Sequence, residues 1–184
     1  MNFVKTAIDG VWIIEPKVLT DARGYFMESY KQEMFEQHVG KISFVQDNES
    51  KSTRGVLRGL HYQLPPFAQS KLVRVIVGAV LDVAVDIRKN SPTFGKHVAV
   101  ELSSENKRQL FIPHGFAHGF LVTSPEAVFA YKVDNVYSPQ CERGIRFNDS
   151  AIGIDWGMSE SELLLSDKDR NAKLLSDAEV FSMV

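Results

Sequence analysis

Residues 71–88 read KLVRVIVGAVLDVAVDIR, and this stretch decides the fold class. Two β-branched runs flank Gly78, and beyond it Asp82, Ala84, Asp86 and Arg88 alternate with Val83, Val85 and Ile87. A period of two is the mark of a strand with two unlike faces, so the segment predicts a hairpin with one polar face. Working outward, residues 44–49, 97–102, 110–112, 119–122 and 127–137 are further strand candidates, separated by Gly, Pro, Ser or Asn. Helical patterning is confined to residues 31–38 and to about 167–178. The pattern predicts an antiparallel, mainly β protein of two packed sheets or a barrel, with short peripheral helices.

The chain has 184 residues, enough for one hydrophobic core, and no repeat or linker divides it, so a single domain over 1–184 is expected. A formal net charge of -2 without any block of like charges argues against nucleic-acid binding, which needs a concentrated basic face. Cys141 stands alone, which removes intrachain disulfides and cysteine-built zinc sites. The first residues, MNFVKTAIDGVWIIEP, lack a long apolar core, so neither a membrane partner nor secretion is expected and the cytoplasm is the economical location.

Five histidines are present, and His38 and His97 read as ordinary polar residues at element ends. His61 lies in TRGVLRGLHYQ, where two glycines and two arginines crowd a strand-like segment. Arg58 and His61, three apart, point to opposite faces of a regular strand, so both line one cleft only if Gly59 breaks the alternation. In FIPHGFAHGF the spacing Pro-x-Gly-x-x-His resembles the second metal motif of the cupin superfamily, with His118 at the ligand position. The matching first motif, HYQLPPFAQSK, has Gln63 where a second His belongs, and no acid follows before Asp82. His61 and His118 alone are too few for a stable catalytic metal. No metal and no cofactor are therefore expected.

What remains is a proton-transfer set: His61, His118, Lys71, Arg58 and Tyr131. Removing a proton beside a carbonyl needs a base, a cation for the enolate oxygen and an acid on the opposite side. Tyr131 also reads as a core aromatic, since AVFAYKV puts it on one face with Ala127, Phe129 and Val133. Gln46 and Asn48 share a strand face that suits either a polar ligand or solvent. In DARGYFMESY, Arg23 beside Gly24, followed by Phe26 and Glu28, suits a phosphate or an ordinary surface.

Taken together, DARGYFMESY, QDNES, RGLHYQ, FIPHGFAHGF, AYKVDNVYSP and LLLSDKDRNA resemble the deoxythymidine-diphosphate-4-dehydrorhamnose 3,5-epimerase family, a cofactor-free branch of the cupins. The resemblance implies a cupin-type jelly roll and a dTDP-sugar substrate. It implies His61 as the base, Asp169 as its orienting carboxylate, Tyr131 as the acid, and Lys71 with Arg58 and His118 around the C4 oxygen. Arg23, Phe26, Glu28, Gln46, Asn48, Glu142 and Lys168 match ligand contacts, and Tyr137 matches an aromatic stacked on thymine. It also implies a homodimer in which Arg23 and Glu28 act in the neighbour's site.

Overall fold

The computed structural model describes residues 1–182. In chain order the strands are β1 (Asn2–Lys5), β2 (Trp12–Glu15), β3 (Val18–Asp21), β4 (Gly24–Met27), β5 (Gln46–Thr53), β6 (Leu57–Gln63), β7 (Lys71–Val77), β8 (Ala79–Asp86), β9 (Arg88–Lys89), β10 (His97–Ser103), β11 (Gln109–Ile112), β12 (Phe116–Val122), β13 (Glu126–Val133), β14 (Glu142–Gly144) and β15 (Phe181–Ser182). Helix α1 (Gln32–His38) follows β4 and helix α2 (Asp167–Arg170) follows β14. A six-stranded antiparallel sheet, β1-β2-β11-β7-β13-β5, packs on a five-stranded one, β10-β8-β12-β6-β14. The architecture is two packed antiparallel sheets with short peripheral helices, as the alternation predicted, in the jelly roll that the family resemblance implies.

Alternation assigns each strand's two faces. Val73 and Val75 of β7, Val80 and Ala84 of β8, Phe116 and Phe120 of β12 and Phe129 of β13 form the layer between the sheets. Val83, Val85 and Ile87 point the other way, beneath a C-terminal cover that includes Ile145, Phe147, Trp156 and Leu175. On the far side of the six-stranded sheet, Leu72 and Phe111 pack under Phe35 of α1.

Two expectations are corrected here. The segment 71–88 is not a hairpin: β7 pairs with β11 and β13, whereas β8 pairs with β10 and β12. At Gly78 the chain turns a corner from the six-stranded sheet into the five-stranded one. Gly78 has φ +79°, and a Cβ there would stand 2.0 Å from the Glu126 carbonyl oxygen, so no other residue fits the corner. Nor does the polar face meet water, because Asp82 and Asp86 are both 0 % exposed. Asp86 is satisfied by Arg88, Ser91 and Thr93, and Asp82 by His118. Buried carboxylates persist only with such partners.

Other boundaries moved. The helix expected over 167–178 is the single turn α2 and a separate 3-10 turn at Leu175–Asp177, because Lys173 leaves the helix to bridge Ile145. The strand expected over 127–137 ends at Val133, and the one expected at 44–49 runs Gln46–Thr53. Strands β1 to β4 and β14 are too short to have stood out as patterns.

Candidate active site

Strand β6 positions two of the site residues by breaking its own alternation. Leu57, Leu60 and Tyr62 join the outer core, whereas Arg58 and His61 face the cleft between the sheets. The parity changes at Gly59: His118 pairs with His61 and Phe120 with Arg58, so β6 spends three residues where β12 spends two. Gly59 has φ +138°, and a Cβ on it would stand 2.4 Å from Gly119 Cα. Two glycines facing each other therefore make the bulge that sequence reasoning required.

The cleft holds about 440 Å³ and is lined by Arg58, His61, Lys71, His118, Tyr131, Lys168 and Asp169, with Ser50, Ser166, Phe120 and Phe129 among the rest. His61 Nε2 lies 2.5 Å from Asp169 Oδ1, a contact across 108 positions of sequence. The His61 side chain is 29 % exposed and that of Asp169 only 5 %. Burial pushes the Asp169 carboxyl up, but hydrogen bonds from His61, Ser166 and the Gly59 amide outweigh it and hold the group below the usual carboxylate range. Ser166 caps α2 by accepting the Asp169 N–H, which presents that carboxylate to β6.

Lys71 reaches the cleft from β7, beside the second His–carboxylate pair. Burial lowers its ammonium to about 8, and Asp82 and Glu142 oppose a further fall. His118 Nε2 meets both Asp82 oxygens, at 3.1 and 3.0 Å, and its ring lies 6.1 Å from that of Phe129. Burial pushes the His118 imidazole down, with Lys71 and His61 adding to that and Asp82 opposing it. Asp82 is a cleft-side residue that the sequence does not single out, since it reads there as one acid of a polar strand face and as too far along to be a metal ligand. Its signal is a carboxylate in the middle of the valine-rich strand AVLDVAVD. Arg58 is held by two 3.1 Å bonds to Ser52 Oγ.

Tyr131 enters from β13 on the opposite sheet. It packs on the inner core, as its strand face predicted, and also lines the cleft. Burial raises the phenol, Glu142 adds to that, and Arg58 opposes. In register with Tyr131 and Val133, Asn48 and Gln46 lie on the same face of β5 and bond each other at 2.8 Å. A rim chain continues from the cleft: Lys168 Nζ to Glu142 at 2.5 Å, and the Tyr137 hydroxyl to Glu142 at 2.7 Å. Burial alone would raise Glu142, but Lys168 and Tyr137 hold it low.

Arg23, Phe26 and Glu28 do not line this cleft. Arg23 and Phe26 sit on the β3–β4 hairpin and Glu28 just beyond it, where Arg23 pairs with Asp21 and Phe26 is 66 % exposed. Among the described residues no group of three or more His, Cys, Asp and Glu side chains is arranged as metal ligands.

The sequence profile of dTDP-4-dehydrorhamnose 3,5-epimerase matches residues 5–177. The chain belongs to the dTDP-4-dehydrorhamnose 3,5-epimerase family. A family member from Shigella flexneri is 62 % identical over 98 % of this chain and 99 % of its own length. The crystal structure of dTDP-6-deoxy-D-glucose-3,5-epimerase from Legionella pneumophila, in complex with dTDP-4-keto-L-rhamnose, covers 100 % of this chain and 98 % of that one, with TM-score 0.95 and 50 % identity. At 38 % identity, over 97 % of this chain and 86 % of the relative, stands the dTDP-4-dehydrorhamnose 3-epimerase of Streptomyces niveus.

Proposed function

We propose that this chain epimerises dTDP-4-dehydro-6-deoxy-D-glucose at C3 and C5 to dTDP-4-dehydro-L-rhamnose, in deoxysugar biosynthesis, by acid/base catalysis through an enolate. The observation that carries the reading is the His61–Asp169 dyad and Tyr131 meeting in one cleft, with His61 and Tyr131 on opposite sheets and Lys71 in the same lining. The higher identity to 3,5-epimerases than to the 3-epimerase supports inversion at both carbons.

The C4 ketone acidifies the protons on C3 and C5. His61 donates Nε2–H to Asp169, which leaves the Nδ1 lone pair to take the carbon proton; the carboxylate then stabilises the imidazolium that forms. The electron pair moves onto the C4 oxygen, where the Lys71 ammonium and the Arg58 guanidinium meet the developing charge, beside His118 held by Asp82. Tyr131, a phenol that carries its proton at neutral pH, acts as the acid and protonates the opposite face. Proton removal on one face and return on the other inverts the centre with no change of oxidation state. No metal or cofactor takes part.

Tyr137 stacks on the thymine, and Lys168, Glu142, Gln46 and Asn48 address the polar parts of the ligand. The protein works as a homodimer in the cytoplasm: the exposed hairpin with Leu19, Tyr25 and Phe26 packs on a second copy and carries Arg23, Phe26 and Glu28 to the neighbour's cleft. No helix among the described residues is long and apolar enough to cross a membrane. Incubation of the thymidine-linked 4-keto-6-deoxyglucose in heavy water tests the chemistry. Deuterium at both C3 and C5 is expected; deuterium at C3 alone would make the chain a 3-epimerase, and none at either carbon would defeat the reading.

A further inference from the structure

The position two residues after His61, where a metal-binding cupin carries its second histidine, is Gln63, and the reaction has no use for it so far. Its side chain is 4 % exposed and fully committed. Nε2 donates to the carbonyl oxygens of Phe67 at 2.6 Å and Val136 at 3.1 Å, while Oε1 accepts from the Ser138 N–H at 2.7 Å. An amide offers two donor hydrogens and one carbonyl oxygen, so all three groups are used. Val136 and Ser138 are the residues on either side of Tyr137. One buried side chain thus brackets an aromatic that is itself 55 % exposed.

The far end of the tyrosine is tied to the same ladder. Its hydroxyl bonds Glu142, and Glu142 is the β14 residue directly opposite Gln63. Held at backbone and hydroxyl, the ring samples fewer orientations than a free loop aromatic, which lowers the ordering entropy that binding costs. Since Gln63 and His61 share β6, the bracket also sets the distance between ring and base. A reacting carbon must come to about 3–3.5 Å from its base, and a misplacement of about 1 Å is costly, so that span matters.

We propose that Gln63 is a positioning residue that fixes Tyr137 at a set span from His61, so that a base stacked on the tyrosine delivers the attached sugar to the histidine. The proposal rests on the reading of Tyr137 as the base-stacking residue. Gln63→Met keeps the length of the side chain and removes all three bonds. Titration calorimetry should show the Kd for dTDP rising about ten-fold, with that for inorganic pyrophosphate moving less than about two-fold. The pH profile of kcat should keep its shape, because the His61–Asp169 pair is untouched. In a Tyr137→Ala background, Gln63→Met should cost dTDP affinity no more than about two-fold further. Should Gln63→Met fail to fold, Gln63→Glu retains the acceptor for Ser138 and loses both donations, and the same comparisons apply.

Equal losses for dTDP and pyrophosphate, or the same loss with and without Tyr137, would make Gln63 a general structural residue and overturn the proposal. If Tyr137→Ala alone leaves dTDP affinity unchanged, the stacking reading falls and the proposal with it. Deuterium exchange reports on the epimerase reading independently of both.

Discussion

Replacing Asp169 by Asn isolates the charge of the dyad from its shape. The amide can still accept the His61 Nε2 hydrogen, so the ring keeps its place, and what disappears is the attraction between carboxylate and imidazolium. Two unit charges about 4 Å apart at an effective dielectric of about 20 attract by roughly 4 kcal/mol. Partial exposure of His61 discounts this to about 3 kcal/mol. The carbon-bound ground state carries no such ion pair, so nearly all of the loss falls on the transition state, and kcat should drop roughly a hundred-fold with KM little changed. The assay is deuterium wash-in at C3 and C5, followed by proton NMR at saturating substrate. A kcat within about three-fold of the parent enzyme would refute the reasoning. Stability offers a second check with a definite sign. The folded Asp169 carboxyl lies below its unfolded value near 3.9, so its contribution is present above that pH and is lost as pH falls through the folded value. Asp169→Asn should therefore be less stable than the parent at pH 7, with the gap closing in acid.

Lys71 predicts the alkaline side of the pH profile: with its ammonium at about 8, kcat/KM should fall as pH rises through that value, and Lys71→Met should remove both the limb and most of the activity. The same group affects stability in the opposite sense, because between about 8 and 10.4 the unfolded chain holds the extra proton; urea titrations across that window should show its contribution to stability rising with pH. Tyr131→Phe should slow inversion by about 10²- to 10⁴-fold while wash-in on the His61 face persists, and equal loss of both in NMR would remove the acid assignment. Gly59→Ala places a Cβ against Gly119 backbone at positive φ and should cost about 3 kcal/mol or more, read as a lowered urea midpoint.

Much of the site was legible because its residues stand in short motifs whose chemistry is unusual. His61, His118 and the glycines around them were visible as a departure from strand composition, and the need for a break at Gly59 followed from parity alone. Asp169 was not visible from spacing; only the family resemblance pointed to it, since 108 positions separate it from His61. Asp82 was misjudged because an acid in an alternating strand reads as solvent-facing, and only the closure of the second sheet over β8 turns that face inward.

Local pattern determines what local physics controls: the strand period, a chain reversal at Gly78 and the side of β13 on which Tyr131 stands. Tertiary structure decided which faces are covered, that β7 and β8 part into different sheets, and which distant groups meet. Period-two alternation says that a strand has two faces but not which one finds a partner. That choice is made by the packing of the whole chain, and the cleft exists only where two sheets and the C-terminal cover bring their polar exceptions together.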